Sequence, residues 1–239
     1  MSENTSTNNN KAGSRKKTYQ WIVRGIWIAF LAFLLFFPFY IYTVSVDFLG
    51  LYGGLPSLEA LENPKSDLSS ELYSADNILL GKYYRENRSP VAYEELSPNL
   101  VNALVATEDI RFTEHSGIDL IGLARVGWGI TKYIATLGNS SLEGGGSTLS
   151  QQTAKNLYKT RTGENEGPLM QIPGLRMLII KTKEWLVAVE LEKYYTKKEI
   201  LAMYLNTAEF SSNSYGIKVA AKTFFNKHPY DLTVEEAAT

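Results

Sequence analysis

Glu108 and Asp109 stand side by side in ALVATEDIRFTEHSGID, at the C-terminal end of an apolar stretch that reads as helix. The carbonyl dipoles at a helix C-terminus disfavour a carboxylate, and apolar neighbours disfavour its charged form further. A carboxyl so placed exchanges a proton near neutral pH, as a general acid or base must. A solvated helix end, with Asp109 capping the next turn, fits the same residues, and this stretch alone leaves both readings open.

A second cluster lies in GGGSTLSQQTAKNLY, residues 144–158. The glycines run into Ser147-Thr148 at a helix start, where free backbone N–H groups and the helix dipole favour an anion. Gln151 and Gln152 follow. Lys155 comes eight residues after Ser147, about two helical turns on, and Arg161 stands in the loop beyond. No Gly-Lys-Ser/Thr closes the run, so it is not a P-loop; the alternative is a flexible linker. From Lys155 to Lys183 six basic residues face two acids. Such a run is either a solvated face or a place where several cations share the charge of a diphosphate leaving group. Lys181, Glu184 and Glu192 fall within a helical pattern around Trp185, Leu186, Val189 and Leu191, where Glu184 is either a surface partner of Lys181 or a functional carboxylate.

Composition bounds the rest. The chain has 239 residues, a formal net charge of -1 and 44% hydrophobic residues. That supplies a core and gives no global attraction for nucleic acid. Without cysteine there is neither a disulfide framework nor a thiolate metal site, and His115 and His228 alone make no histidine cluster. Between Arg24 and Asp47 lie 22 uncharged residues, which as helix span roughly 33 Å, a hydrocarbon core's thickness. The run is too long and too aromatic for the apolar core of a cleaved signal peptide. Lys11, Arg15, Lys16, Lys17 and Arg24 precede it and Asp47, Glu59 and Glu62 follow. By the positive-inside rule the N-terminus is cytoplasmic and the rest lies outside.

The expected organisation is a disordered cytoplasmic tail over 1–20, a transmembrane helix over 21–46 and a linker over 47–67. A mainly helical domain over 68–239 follows. Asp76-Asn77 between Ser70–Tyr73 and Ile78–Tyr84 predicts a short β-hairpin. Ser97-Pro98 opens a helix to about Glu108, and further helices are expected over Leu120–Ala135, Ser147–Tyr158 and Leu175–Tyr194. Thr196 with Glu199, and Thr233 with Glu236, form capping boxes. The sequence stops just after the second box, so a C-terminally truncated domain is expected.

These blocks together resemble glycosyltransferase family 51, the peptidoglycan glycosyltransferase domain of class A penicillin-binding proteins and monofunctional transglycosylases. Glu108-Asp109, Phe112, His115 and Gly117 match the first block. Gly146-Ser147-Thr148, Gln151-Gln152 and Lys155 match the second, Lys181 and Glu184 the third. Leu205-Asn206, Phe210, Tyr215-Gly216-Ile217 and Ala220-Ala221 match the fourth. Ile180 stands where the third block has arginine, with Arg176 a candidate substitute, and Ser211, Asn213 and Ser214 replace customary glycines.

The resemblance implies a mostly helical, lysozyme-like fold. It implies a membrane-embedded part around Leu157–Leu178, including Leu169, Met170, Ile172 and Leu175. The implied activity is inverting polymerisation of lipid II at the outer face of a bacterial cytoplasmic membrane, with release of undecaprenyl diphosphate. Glu108 would be the general base. Glu184 would assist directly or through Mg²⁺ or another divalent cation, with no organic cofactor. Lys155, Arg161 and Lys181 would neutralise the diphosphate. Asp109, Ser147, Thr148, Gln151, Gln152 and Asn206 would complete the substrate site. Implied partners are lipid II, the growing glycan strand, the membrane and other wall-synthesis proteins, but not nucleic acid. A glycan-cleaving enzyme and a non-enzymatic scaffold of the same fold are the rivals.

Overall fold

The computed structural model describes residues 3–56, 70–77, 79–83, 90–139, 145–158, 166–211 and 214–239. The chain divides into two units, Met1–Leu49 and Gly50–Thr239.

The first unit is the helix α1, Glu3–Ser45, followed by a short 3-10 turn. Its Tyr19–Ser45 stretch, with a peak mean hydropathy of 2.2, is long and apolar enough to cross a membrane. Helix begins at Glu3, within the tail expected to be disordered. No proline interrupts residues 1–20, and a helix already nucleated by the apolar stretch extends at one hydrogen bond per residue. Asp47 at φ 45° and Leu49 at φ 56° adopt left-handed backbone, which ends it.

In the second unit β1 (Ser70–Tyr73) and β2 (Leu79–Tyr83) pair antiparallel, with Asn77 at φ 65° in the turn. The helices follow at or near the expected limits: α2 Pro98–Glu108, α3 Leu120–Ala135, α4 Leu149–Tyr158, α5 Leu175–Tyr194 and α6 Lys197–Thr207. Two-residue strands β3 (Glu209–Phe210) and β4 (Ser214–Tyr215) pair before α7, Ile217–Phe225, and α8, Val234–Ala237. Local chemistry explains the starts. The Ser97 hydroxyl accepts the Asn99 N–H, and both capping boxes close as expected.

Part of the expected linker is integral to the second unit. The Leu51 carbonyl accepts the Leu169 N–H at 3.1 Å. Gly167 runs so close to Leu51 that a Cβ would stand 2.2 Å from that oxygen. Residues 57–67 lie outside the described residues. Of the side chains expected to dip into lipid, Ile172 and Leu175 are exposed but Met170 is buried, beside Lys183.

The core is built around α4. Ala154 packs on Val187 and Leu191 of α5, while Leu149 packs with Phe112, Ile200 and Leu201. A further cluster joins Leu100, Leu205, Ile217 and Leu232. Full burial of a side chain such as Phe112 contributes about 2–3 kcal/mol. This core fixes the N-terminal end of α4 against the C-terminal end of α2, and the site is built there.

Candidate active site

Glu108 is the last residue of α2, because Asp109 leaves helical backbone at φ -158°. The two carboxylates diverge. Asp109 turns inward, where Oδ2 accepts the Leu149 N–H at 3.0 Å and lies 3.1 Å from His115 Nε2. It thus satisfies one of the free N–H groups that open α4. Glu108 stays exposed, and its Oε2 accepts from Gln152 Nε2 at 2.8 Å. The apolar surroundings expected for Glu108 are therefore absent; its immediate partner is an amide.

The loop after Asp109 is held to α4 through Gly117. Its carbonyl accepts from Thr148 Oγ1 at 2.7 Å and from Gln151 Nε2 at 3.2 Å. Thr148 Oγ1 in turn accepts the Gln151 N–H. Gly117 sits at φ 88°, with Ala188 backbone atoms 2.9 Å from where a Cβ would be. Only glycine meets both conditions. Lys197 completes the hold: its ammonium donates to the His115 carbonyl and to Glu192, and lies 4.3 Å from the centre of the Phe112 ring.

Around this framework opens a cleft of about 630 Å³. Its walls include Glu108 and Gln152, Ser147 and Lys155, Lys181 and Glu184, with Asp109, Thr148 and Gln151 at their buried edge. Lys181 Nζ lies 2.6 Å from Glu184 Oε2 and donates to Ser147 Oγ at 3.0 Å. Glu184 is 1% exposed. A buried carboxylate with an ammonium on it and a hydroxyl beside it is a fixed ion pair, and its cation still faces the cleft.

Two expected members lie elsewhere. Asn206 uses both ends of its amide on Val91, accepting the backbone N–H and donating to the backbone carbonyl, each at 2.9 Å. It is not among the cleft residues, so the expectation that it holds sugar or phosphate does not fit its position. Arg176, the candidate substitute for the arginine missing at Ile180, bonds Glu166 through Nε at 3.0 Å and does not line the cleft either. Arg161 falls outside the described residues.

Two cations that the sequence reading did not single out do line the cleft: Arg111, just after the carboxylate pair, and Arg125 on α3. Gly122 lines it too, and its three-residue spacing from Arg125 marks one helix face. Arg111 is paired with Asp119. Burial opposes the charge on Asp119, but the Arg111 guanidinium, the Gly122 N–H and the charge on His115 together outweigh it and hold that carboxyl below its ordinary value. Among the described residues there is no group of three or more His, Cys, Asp or Glu that could hold a metal ion. Glu184, expected to assist directly or through a divalent cation, has the Lys181 ammonium on its Oε2.

The sequence matches the family model for transglycosylases over residues 76–239. It is 35% identical over 193 residues to penicillin-binding protein 1A of Aquifex aeolicus, covering 81% of this chain and 24% of that protein. It is 34% identical over 226 residues to penicillin-binding protein 1F of Bacillus subtilis, covering 94% and 27%. Against penicillin-binding protein 1A of Escherichia coli the identity is 33% over 184 residues, covering 77% and 19%. The chain thus spans about a quarter of the length of the curated relatives it matches.

Proposed function

The chain belongs to the transglycosylase family, and from that premise we propose that its second unit is a peptidoglycan glycosyltransferase that polymerises lipid II and releases undecaprenyl diphosphate. The observation that carries this reading is the shared cleft. An exposed carboxylate, Glu108, opens onto the same space as Lys155, Lys181 and Arg125.

Glu108 acts as the general base. It takes the proton from the 4-hydroxyl of the incoming lipid II, whose oxygen attacks C1 of the growing chain. The bond from C1 to the diphosphate breaks and the anomeric centre inverts. Negative charge gathers on the departing diphosphate, where Lys155, Lys181 and Arg125 neutralise it, and fixed cations in a walled cleft do so more effectively than water. Glu184 holds Lys181 in place from beneath. The apolar Tyr19–Ser45 stretch anchors the protein in the membrane that carries the substrate, with the basic N-terminal flank inside and the second unit outside.

The test is polymerisation of labelled lipid II by the full chain and by Glu108→Gln. The variant should lose at least about 10²-fold in rate, the scale of a lost acid–base group, with its melting temperature unchanged. Activity near that of the parent removes Glu108 from the mechanism. Release of fragments from finished glycan, without polymer from lipid II, replaces synthesis with cleavage.

A further inference from the structure

Tyr204 belongs to α6 and is not among the residues lining the cleft. Its ring packs partly buried against the Leu100–Leu205 cluster. Its hydroxyl nevertheless lies 3.3 Å from Gln152 Oε1, and Gln152 Nε2 lies 2.8 Å from Glu108 Oε2. A carboxylate oxygen only accepts, so the amide must turn its nitrogen to Glu108. The amide oxygen then faces away, and the group that meets it is the phenol, which donates.

We propose that Tyr204 is a positioning residue for Glu108, donating to Gln152 Oε1 and so anchoring the amide where it keeps an N–H on the carboxylate. This rests on Glu108 being the general base. The last torsion of a glutamine has two broad orientations related by a half-turn, and nothing in the amide's shape separates them. The carboxylate decides which end of the amide faces it, since a phenol oxygen could also accept from an NH₂. What the hydroxyl adds is a second anchor, its O–H on Oε1 holding the amide in place over Glu108. Burial, and after it the charge on Glu108, raise the Tyr204 phenol above its ordinary value, so it keeps its proton and remains a donor.

Of the other charged groups on the cleft walls, most are paired, while Lys155, three residues after Gln152, and Arg125 line the same cleft as Glu108. Asp109 pairs with His115, Arg111 with Asp119 and Lys181 with Glu184. Arg125 comes from α3 and Lys155 from α4. Changing Tyr204 to phenylalanine leaves all of these groups in place and keeps the ring in the core.

The experiment is the pH profile of kcat/KM for lipid II polymerisation by the full chain, for the parent, Tyr204→Phe, Gln152→Leu, the double variant and Glu108→Gln. In Tyr204→Phe the acid limb should move to higher pH by about half a unit to one unit, as expected for weakening a hydrogen bond to a charged group. Rates on that limb should fall about 3–10-fold, more than on the plateau. Gln152→Leu should move the limb the same way and at least as far, and adding Tyr204→Phe to it should move it no further. A Tyr204→Phe limb that overlays the parent overturns the proposal. So does a uniform fall across all pH accompanied by a lower melting temperature, or a full additional shift in the double variant. Should Glu108→Gln stay active, the base itself is misassigned. If it is inactive while the Tyr204→Phe limb stays put, only the role of Tyr204 fails.

Discussion

Glu108 and Asp109 are chemically alike and adjacent, yet one faces the cleft with an amide on it while the other is buried against Leu149 and His115. Gln151 and Gln152 divide the same way. Gln151 is 1% exposed and bonds the Gly117 carbonyl, while Gln152 reaches Glu108. In each doublet one member joins the framework and the other joins the site. The two framework members act on the same junction, between the α2–Gly117 segment and the start of α4. For the glutamines the spacing explains this, since adjacent residues on a helix lie about 100° apart and cannot share a face. For the carboxylates it is the departure of Asp109 from helical backbone.

That division can be broken most severely at the junction itself. Gly117→Ala needs both a left-handed backbone and a Cβ pressed onto Ala188. It should cost at least about 3 kcal/mol, measured by urea denaturation, with activity lost as well. Next comes the carboxylate pair. Asp109→Ala strands the Leu149 N–H and His115 and should cost about 2–4 kcal/mol, whereas Glu108→Ala should stay within about 0.5 kcal/mol. Equal costs would show that the doublet does not divide. The glutamines repeat the contrast on a smaller scale. Gln151→Ala should lose about 1–2 kcal/mol, and Gln152→Ala should barely change the urea midpoint.

The smallest effect is one of pH. Asp119 titrates lower when folded than when unfolded, because Arg111, with the Gly122 N–H and the His115 charge, outweighs its burial. Its contribution is therefore present above its unfolded value, about 3.9, and is lost as pH falls through the lower folded value. Asp119→Asn should destabilise near pH 7, and the gap from the parent should close by about pH 2. A gap that does not change with pH would mean that the contact with Arg111 is not electrostatic.

The helices were largely legible. α3 and α5 have the limits that periodicity and flanking signals predict, and the two capping boxes need only residues three apart. The site was legible in composition but not in orientation. The carbonyl of Gly117 and the amide of Gln151 are 34 residues apart in sequence, and Asp109 and Leu149 are 40 apart. No local pattern reports that such groups meet. The same limit hid Arg125, a lone arginine outside any basic run; Asn206, expected at the substrate from the family resemblance, spends its amide on Val91. The β3–β4 pair was missed because two-residue strands carry no alternation to read.

Asn206 carries in its side chain the donor and acceptor of a peptide group, and it meets Val91 as one strand meets another. A sheet edge one residue long thus sets the alignment of the chain that leads into Ser97 and α2. Slippage by one position would offer Pro90 in place of Val91, and proline has no N–H to give. In that direction the misaligned state makes one bond instead of two. An imino acid in the sequence therefore disfavours that slip in the segment that leads into the Ser97 cap.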